Sequence, residues 1–568
     1  MTRLARFIPS IEWIKGYDPK RDLSGDLTAG LTVAVMLIPQ GMAYAMLAGL
    51  PPIVGLYASV FPLLAYAFLG TSRQLAVGPV AMVSLLVATG VGAVAEPGSA
   101  EFIVLAVVLA GMVGVMQLGM GLARLGSLVS FLSHPVVSGF TSAAAIIIGL
   151  SQLKHLLGAD IPRSPHLHEL AMNAAAHIHE TQPITLGIGV AAIALLLGLK
   201  KWNKRFPGAL VVVAAGSLLT WALRLDLRGV GIVGDVPAGL PGASVPTFSL
   251  SDLGSLLPTA LAISLVGFME SISVAKAFAR KNKYEIDANQ ELVGLGVSNL
   301  VGFLFGGYPV TGGFSRTAVN GQAGARTGLA SAITAVVIGL SLLFFTPLFY
   351  FLPNAILAAI VMTAVFGLVD LHELKHLWKV KKTDAALLLV TFAVTLFIGI
   401  EEGIAAGVIL SLALFVHRST RPHHAVLGRL PGTETYRNVK NFPEAEPVDG
   451  VAIWRFDASF YFANASFFRD QIDRLLVGDE PVRAIVLDAS AINDLDASGA
   501  TMLEDIAERL KAKQIRLLIA GAKGPVREVM RRAGLDEKLG DDGRWLTVHE
   551  AVLAAQEDDG CERSLAAA

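Results

Sequence analysis

The sequence predicts a polytopic α-helical membrane protein that carries a small α/β domain at its C-terminal end. Three observations support this fold class. Hydrophobic residues make up 54% of the 568-residue chain, charged residues make up 16%, and the mean hydropathy is +0.60, values that do not suit a water-soluble globule. Apolar stretches follow one another from about Leu27 to Val416, many of them near the roughly 20 residues that a helix needs to cross a bilayer. After His417 charged residues become dense and the apolar runs become too short to span.

Composition also excludes several classes of function. The formal net charge of −1 gives no overall basic balance that would indicate nucleic acid as a partner. The single cysteine, Cys561, lies in a polar tail and cannot form an internal disulfide or a cysteine-ligated cluster. Four histidines of a predicted external loop are too scattered for a metal site: His166, His168, His177 and His179. We therefore predict no cofactor and no metal, and the absence of a P-loop or a nucleophile motif in its required context argues against an enzyme.

The membrane region is predicted to cover residues 26–418. Residues 1–25 carry charges throughout and lack the apolar core of a signal peptide, so they form a cytoplasmic segment before the first span. Hydropathy alone supports about 12 to 14 spans, because stretches such as 75–94 and 308–323 are short or interrupted by glycine and proline. Five stretches are clear: 101–122, 183–199, 207–223, 325–346 and 383–398.

Basic residues near short loops mark the cytoplasmic side of a membrane protein. Four clusters lie along the chain: Arg3, Arg6, Lys15, Lys20 and Arg21; Lys200, Lys201, Lys204 and Arg205; Arg280, Lys281 and Lys283; and Lys375, Lys379, Lys381 and Lys382. With fourteen spans all four clusters fall on one side, and the acidic loop from Glu96 to Glu101 falls on the other. The predicted topology therefore has fourteen spans in the plasma (inner) membrane, with both termini cytoplasmic.

The C-terminal part is predicted to contain a linker at 419–435, a folded domain at 436–556 and a polar tail at 557–568. Short β-rich runs alternate with helix-like stretches in the folded part. The strands are Val451–Phe456, Ala484–Leu487 and Arg516–Ile519, and the helices are 464–476, 499–513 and 524–533. This alternation predicts a small α/β domain.

Two short segments share a rare arrangement in which extended residues and a proline precede a helix-like run. They are Ala76–Ala81 (AVGPVA) and Gly307–Gly313 (GYPVTGG), in the third and tenth spans, seven apart, as two seven-span repeats of opposite topology require. A half-helix that begins inside the membrane leaves backbone N–H groups free and a positive dipole end there, which attracts an anion. The free backbone would belong to Val80 and Ala81 in one case and to Phe314 and Ser315 in the other.

Two charged residues lie at membrane depth, where they are expensive unless they face water or another charge. Arg316 follows the second break, and Glu270 interrupts the apolar run Leu261–Met269. A bound anion would satisfy Arg316; the alternative is that Arg316 snorkels from the end of a short helix. Glu270 would neutralise Arg316, or take up a proton that offsets the charge of an entering anion, or form a fixed pair that only holds helices together.

Further polar residues interrupt the apolar runs. Gln40 and Tyr44 are four apart, hence on one face of the first span, and offer polar groups to an anion site, although such residues also serve helix packing. Glu401 and Glu402 are flanked by glycines, and we interpret them as part of a tight turn between short helices.

Three segments of the membrane region resemble signatures of the SulP sulfate permeases, a family of anion transporters that includes the solute carrier 26 and prestin-like proteins. They are Pro39–Tyr44 (PQGMAY), Pro51–Tyr57 (PPIVGLY) and Thr311–Asn320 (TGGFSRTAVN). In the C-terminal part, Asp496–Gly499 (DASG) is similar to the loop of a STAS domain, the module shared with anti-sigma-factor antagonists. The resemblance covers nearly the whole chain.

This resemblance implies a 7+7 inverted-repeat fold in which a core domain, spans 1–4 and 8–11, moves against a gate domain made of the other spans. It also implies a homodimer in the lipid bilayer and transport by alternating access. By similarity, the anion site is lined by Gln40, Tyr44, Ser315 and Arg316, and Glu270 couples transport to protons as in plant-like sulfate symporters. Sodium-dependent bicarbonate members carry an aspartate at the position of Glu270, a difference that favours proton coupling.

In the C-terminal domain, Ser498 matches the position that is phosphorylated in soluble STAS proteins. An added charge at a helix start would change the binding of a cytoplasmic protein partner. The alternative is that Ser498 caps the helix that begins near Gly499.

The sequence thus predicts a secondary active transporter of inorganic anions, with sulfate:proton symport first. The alternatives within transport are sodium-coupled bicarbonate transport, anion exchange and a nucleobase carrier of the same architecture. The last would need extra carboxylate and amide groups in the site, where this chain offers Ser315 and Arg316. A different class of function is an anion sensor whose output is the STAS domain.

Overall fold

The structure is a computed structural model that describes residues 8–127, 133–162, 167–202, 208–477 and 481–566, without the side chains of Glu12 and of residues 558–566. Several predicted features lie outside the described residues: Arg3, Arg6, His166, Lys204, Arg205 and the chain ends 1–7 and 567–568. The chain divides into two compact units, Met1–Ser411 and Leu412–Ala568.

The first unit consists of helices interrupted by two very short strands. In chain order the helices are α1 (Ser10–Lys15), α2 (Pro19–Ala48), α3 (Pro52–Tyr57), α4 (Phe61–Leu69), α5 (Ala81–Gly92), α6 (Ala100–Leu122), α7 (His134–Ser151), α8 (Leu153–Leu157), α9 (Leu167–Ala176), α10 (Pro183–Trp202), α11 (Gly208–Leu223), α12 (Leu250–Asn282), α13 (Ala288–Leu304), α14 (Phe314–Gln322), α15 (Leu329–Phe344), α16 (Asn354–Val365), α17 (Leu371–Val380), α18 (Lys382–Phe397) and α19 (Ile400–Thr420). The strands are β1 (Val77–Gly78) and β2 (Thr311–Gly312).

Eight helical segments of the described chain are long and apolar enough to cross a membrane. They are Pro19–Ala48, Pro52–Leu69, Ala100–Leu122, His134–Leu157, Pro183–Trp202, Leu250–Asn282, Asn354–Val380 and Ile400–Thr420. Three shorter apolar helices, α5, α11 and α15, join them, and α13, α14 and α18 complete the fourteen predicted spans.

Capping residues fix where the longest spans begin and end. The Asp18 carboxylate accepts a hydrogen bond from Lys20 N (3.0 Å) at the start of α2, and Gly49 ends that helix in the left-handed conformation. Ser249 and Asp252 form a capping box at the start of α12. These caps fix both ends of α2 and the start of α12.

Many helix contacts fall within the predicted core and gate domains, and α2 of the core also packs against α16 of the gate. In the core group, α13 packs against α4 and α6, and α2 packs against α5, α14 and α15. In the gate group, α18 packs against α7, and α16 packs against α7 and α10. Glycines permit close helix approach in the core, because a Cβ added at Gly114 of α6 would lie 2.7 Å from Leu300 N of α13.

The second unit has one five-stranded sheet with helices. The strands are β3 (His424–Arg429), β4 (Tyr436–Asn438), β5 (Val451–Phe456), β6 (Ala484–Asp488) and β7 (Arg516–Ala520), and the helices are α20 (Ala465–Leu475), α21 (Ala497–Ala512), α22 (Gly524–Arg532), α23 (Leu535–Leu539) and α24 (Val548–Ala566). The strand order is β4-β3-β5-β6-β7. Strands β5, β6 and β7 are parallel, whereas β3 is antiparallel to both of its neighbours.

The three predicted strands and three predicted helices of this unit are present, with ends shifted by one or two residues. Segment 419–435, predicted as a linker, contains β3. This strand is stabilised by its pairing with β5, where Leu427 lies opposite Ile453. The short sequence of β3 does not predict this pairing, because the stability of a strand depends on the neighbours that it packs against.

Candidate functional site

Strands β1 and β2 form a two-stranded antiparallel ribbon inside the first unit. Val77 pairs with Gly312, and Gly78 pairs with Thr311. All four residues are buried. Each strand leads directly into a short helix, β1 into α5 and β2 into α14. The two predicted broken helices are therefore joined by their extended segments.

Both half-helices begin beside the ribbon without a side-chain cap. Val80 is the N-cap residue of α5 and Gly313 is the N-cap residue of α14, and neither has a side chain that accepts a hydrogen bond from the helix N–H groups. The first N–H groups of a helix have no partner within the helix. Two helix starts with free donors and positive dipole ends therefore lie close to one small region.

Arg316, in the first turn of α14, is buried, with 1% of its surface exposed. Its Nη1 donates a hydrogen bond to the carbonyl oxygen of Pro79, just before the other half-helix. The guanidinium group lies against the ribbon, since a Cβ added at Gly313 would be 2.8 Å from Nη2 and one at Gly78 would be 3.5 Å from the same atom. The chain thus places a full positive charge between the two helix starts.

Polar side chains from neighbouring core helices fix the second strand. Asn299 of α13 accepts a hydrogen bond from Val310 N (2.8 Å) and donates one to Val310 O (3.1 Å). The Ser271 hydroxyl of α12 accepts from Gly312 N (2.8 Å) and lies 2.7 Å from the Thr311 hydroxyl. These contacts satisfy the ribbon backbone that no neighbouring strand can satisfy.

The other predicted site residues surround Arg316 on two core helices. Tyr44 and Glu270 are close enough to Arg316 to interact with it electrostatically. Gln40 is buried one turn before Tyr44 on α2, the helix that packs against both α5 and α14. Among the described residues no ion pair within 4 Å links Glu270 to Arg316, so the structure contains no fixed pair of the kind considered above.

Several buried polar atoms of this region have no hydrogen-bond partner within the described chain. They are Arg316 Nε and Nη2, Gln40 Oε1, Glu270 Oε2 and Asn320 Oδ1. A buried polar group without a partner costs roughly 1–3 kcal/mol, and more when it is charged. Such a concentration of unmet donors and acceptors indicates a site that a ligand completes.

The four predicted backbone positions differ in exposure. Val80 and Ala81 are buried, with 5% and 7% of their surfaces exposed, whereas Phe314 is 60% exposed and Ser315 is also exposed. The side chain of Arg316 is therefore buried and that of Ser315 is exposed, although both residues follow the same break.

Comparison with known proteins identifies the family to which this chain belongs. Residues 23–391 match the sulfate permease family, and residues 442–551 match the STAS domain. The chain belongs to the sulfate permease family. Its relatives are named sulfate transporters, which supports transport of anions.

One relative of this permease is the protein named sulfate transporter 4.1, chloroplastic, from Arabidopsis thaliana. It is 42% identical over 560 residues, which cover 96% of this chain and 82% of the relative. The match thus includes both units.

Two solved structures are similar to this permease. The murine Slc26a9 anion transporter, determined in the inward-facing state, has a TM-score of 0.89 at 25% identity and covers 98% of this chain and 94% of its own. The transmembrane domain of a cyanobacterial bicarbonate transporter, BicA, has a TM-score of 0.61 at 26% identity over 69% of this chain and 98% of its own. The fold of this permease is therefore that of an anion transporter with a C-terminal STAS domain.

Sequence reasoning missed several residues that build the site of this permease. Pro79 contributes a carbonyl acceptor, and Ser84 of α5 lies 2.9 Å from the hydroxyl of Tyr308 (Oγ to OH), which links the two broken segments. Asn299 and Ser271 hold the ribbon. The sequence shows that these polar residues interrupt apolar runs, but it does not show which residue each of them contacts.

The interpretation of Glu401 and Glu402 as part of a turn is wrong, because both lie in the first turn of α19, where Glu401 has a partner. The Thr259 hydroxyl of α12 donates a hydrogen bond to Glu401 Oε1 (2.6 Å) at the start of α19. Helix α12, the eighth predicted span, packs against α6 of the core group, and α19 is the fourteenth predicted span, so this bond crosses the predicted boundary between core and gate.

In the STAS domain, the interpretation of Ser498 as a helix cap is wrong. Helix α21 begins at Ala497, and the N-cap is Asp496, whose carboxylate accepts a hydrogen bond from Gly499 N (2.7 Å). A carboxylate is an effective N-cap, so the hydroxyl of Ser498 is not needed for capping. Ser498 lies exposed in the first turn.

Proposed function

We propose that this permease imports sulfate together with a proton, as a secondary active transporter that works by alternating access. One observation carries the anion assignment: a buried arginine with two unpartnered nitrogen atoms lies between two uncapped helix starts. Guanidinium and backbone N–H groups are strong hydrogen-bond donors to oxyanions. The substrate-lining set is Gln40, Tyr44, Val80, Ala81, Phe314, Ser315 and Arg316.

Sulfate is the first choice among the oxyanions. A divalent tetrahedral anion offers several oxygens to Arg316 and to both helix starts at once, and the plant relative is named a sulfate transporter. The charge of Arg316 offsets only one of the two negative charges. A second positive charge must therefore accompany sulfate if the complex is to cross the low-dielectric interior without a large cost.

Glu270 is proposed to take up that charge as a proton, which removes its own negative charge, so that Arg316, Glu270 and bound sulfate together carry −1 instead of −2. Its Oε2 atom has no hydrogen-bond partner among the described residues, and it interacts electrostatically with Arg316. A protonated Glu270 adds one positive charge relative to the carboxylate and turns one oxygen into a donor. Protonation of Glu270 and binding of sulfate at Arg316 should therefore favour each other.

We predict that Glu270→Gln abolishes accumulation of sulfate driven by a proton gradient but leaves exchange of sulfate for sulfate. The amide mimics the protonated acid and cannot release a proton. A proton gradient therefore cannot drive sulfate accumulation through this residue. The measurement is radiolabelled sulfate in proteoliposomes, first with an inward proton gradient and then with sulfate on both sides. Gradient-driven accumulation equal to that of the unmodified protein would remove Glu270 from coupling.

Alternating access is supported by the boundary between the two helix groups. A cavity of about 730 Å³ lies between the C-terminal ends of α2 and α5 in the core group and α7 in the gate group. The hydrogen bond from Thr259 to Glu401 crosses the same boundary. Movement of the core against the gate would change this cavity and break this bond, while the site around Arg316 stays within the core.

Two further inferences concern the oligomeric state of this permease and the membrane that contains it. We infer a homodimer in the plasma membrane with both termini in the cytoplasm, as the resemblance implies and the basic clusters indicate. We further infer that the STAS domain binds a cytoplasmic protein. Phosphorylation of Ser498 would regulate that binding, because an exposed residue in the first turn of a helix suits a phosphate.

The function is tested by uptake of radiolabelled sulfate into proteoliposomes that contain the purified protein. Uptake is measured with and without an inward proton gradient, and unlabelled sulfate, bicarbonate and chloride serve as competitors. We expect gradient-stimulated uptake that unlabelled sulfate blocks. Charge movement without uptake would instead support an anion sensor.

Bicarbonate is the second candidate, because the structure is similar to that of BicA. Bicarbonate is smaller and carries a single charge, which Arg316 alone would neutralise. Uptake of bicarbonate that depends on a sodium gradient, together with no uptake of sulfate, would keep the anion site and replace the substrate and the coupling ion.

A further inference from the structure

Helix α17 lies between two spans, α16 and α18, and none of its residues is buried in the structure. Three large apolar side chains are exposed on it, Leu371 (66%), Trp378 (54%) and Val380 (68%). A helix that exposes both apolar and basic residues beside a membrane is typical of a segment that lies in the interface between water and lipid. Tryptophan is itself enriched at that depth.

A groove of about 390 Å³ runs along this helix. Its lining residues are Leu374, Lys375, Trp378 and Lys379 of α17 together with Leu389 of α18. Residues 374, 375 and 378 are spaced by three and four, so they lie on one helix face. Leu389 lies seven residues into α18, about 10 Å along that span from its first residue. The lining surface is almost entirely apolar, so Lys375 and Lys379 line the groove with their methylene chains, and its wall continues along an apolar span.

The charges around the groove are not neutralised by the protein. Lys375, Lys379, Lys381 and Lys382 are all exposed, and none forms an ion pair within 4 Å among the described residues. The acidic residues nearby have other partners: Asp370 caps α17, with Glu373 N as the donor (2.9 Å). The carboxylate of Glu373 lies 3.3 Å from His134 Nδ1.

We propose that this groove is a binding site for an anionic phospholipid. The headgroup phosphate lies between the ammonium groups of Lys375 and Lys379, and an acyl chain follows Leu374, Trp378 and Leu389. Lysine binds phosphate as a point charge, and basic clusters at the end of a span attract anionic lipids. The apolar wall distinguishes a lipid from a free phosphate or sulfate ion, which would leave that wall in water. This site is separate from the anion site around Arg316 and does not depend on which anion is transported.

The test compares lipid retention by the full-length protein and by double variants. The protein is purified from vesicles of phosphatidylcholine with added phosphatidylglycerol, and bound lipid is counted by native mass spectrometry. For Lys375→Gln/Lys379→Gln we expect affinity for phosphatidylglycerol to fall about 25-fold, since each lysine near an anionic surface contributes roughly a factor of five. Lys375→Arg/Lys379→Arg keeps both charges and should keep the lipid.

Two controls separate this site from general effects of charge and of hydrophobic contact. Lys511→Gln/Lys513→Gln removes the same charge from exposed positions of the STAS domain and should not change retention. Trp378→Ala keeps the lysines and should weaken binding of the lipid but not of inorganic phosphate. Because no α17 residue is buried, all of these variants should fold, which a thermal melt will check.

Three outcomes would overturn the proposal. The first is equal retention of phosphatidylglycerol by the Lys375→Gln/Lys379→Gln variant and the unmodified protein. The second is equal retention of phosphatidylcholine and phosphatidylglycerol, which would indicate surrounding lipid without headgroup recognition. The third is displacement of the lipid by inorganic phosphate at a similar affinity, which would indicate a site for a free anion.

Discussion

Two of the buried charged residues of the membrane unit, Glu291 and Arg316, differ in how well the protein satisfies them. Glu291 of α13 is fully buried, and its two oxygens accept four hydrogen bonds. The donors are Tyr66 OH (2.6 Å), Thr71 N (2.6 Å), Thr71 Oγ1 (2.6 Å) and Ser72 N (3.0 Å). Arg316 is equally buried, but two of its three guanidinium nitrogens have no partner within the described chain.

The difference between these centres separates a structural charge from a functional one. The four donors to Glu291 replace the water that the carboxylate loses, so the centre fixes the loop that leads into β1. Around Arg316 the unmet groups come from α2, α12 and α14 together, as Gln40, Glu270 and Asn320 each leave a buried oxygen without a partner. Evolution of a stable fold alone would pair or remove such groups. A site that must bind and release an anion has to leave the two guanidinium nitrogens free, because sulfate accepts hydrogen bonds and donates none.

The largest expected effect follows from removing the unsatisfied charge. Arg316→Ala should lower the affinity for sulfate about a hundredfold, because charge-assisted hydrogen bonds contribute roughly 1.5–3 kcal/mol each. The folded protein should lose little stability, since the variant removes a buried charge that is only partly compensated. Sulfate binding is measured by isothermal titration and stability by thermal melting in detergent.

Arg316→Met is the matched control, because it keeps most of the side-chain volume and removes only the charge and the donors. It should bind sulfate as weakly as Arg316→Ala does. Sulfate binding restored by methionine would mean that Arg316 fills space at the ribbon and that the anion is held elsewhere.

The satisfied charge should respond in the opposite way. Glu291→Gln replaces one carboxylate oxygen, which accepts hydrogen bonds, by an amide N–H₂ group, which can only donate them. At least one buried donor therefore loses its partner. We expect the free energy of unfolding to fall by about 2–3 kcal/mol, with sulfate affinity of the folded protein within about twofold of the unmodified value. Glu285→Gln makes the same chemical change at an exposed nearby position and should leave the melting temperature unchanged.

The comparison would fail if Glu291→Gln kept its stability and lost sulfate binding. Glu291 would then belong to the transport machinery, and the number of hydrogen bonds to a buried charge would not distinguish the two kinds of centre.

The two centres also differ in how far they could be predicted from sequence. Arg316 was found because it follows a proline- and glycine-rich break in an apolar span, and a local pattern of that kind is visible in a single chain. The alternating strands and helices of the STAS domain are predicted on the same basis, since periodicity is a local property. The count of fourteen spans needs the positions of the basic clusters in addition to hydropathy.

Glu291 was not singled out, because its importance depends on Tyr66, Thr71 and Ser72, more than 200 residues earlier in the chain. The hydrogen bond from Thr259 to Glu401 escaped prediction for the same reason. The Asp496 cap of α21 is an instructive exception, because the capping carboxylate lies only two residues before Ser498 and was visible in the sequence. Polar residues in apolar runs can be recognised locally, whereas the donors that satisfy them come from the tertiary fold.

The smallest expected effect tests whether the position of the guanidinium group matters as well as its charge. Gly313 has a φ of −91°, which any residue can adopt, so alanine there introduces no backbone strain. Its Cβ would lie 2.8 Å from Arg316 Nη2 and 2.9 Å from Cζ, and the guanidinium group would have to move. We expect Gly313→Ala to weaken sulfate binding about tenfold, roughly the loss of one charge-assisted hydrogen bond, with unchanged thermal stability.

Gly92→Ala is the control, because a Cβ at that position of α5 meets no atom within 4 Å. It should leave sulfate affinity unchanged. In an Arg316→Ala background, Gly313→Ala should add nothing, because the group that it displaces is already absent, and this non-additivity would show that the two residues act on one site. An effect of Gly313→Ala that persists without Arg316 would instead place the cause in the free N–H groups at the start of α14.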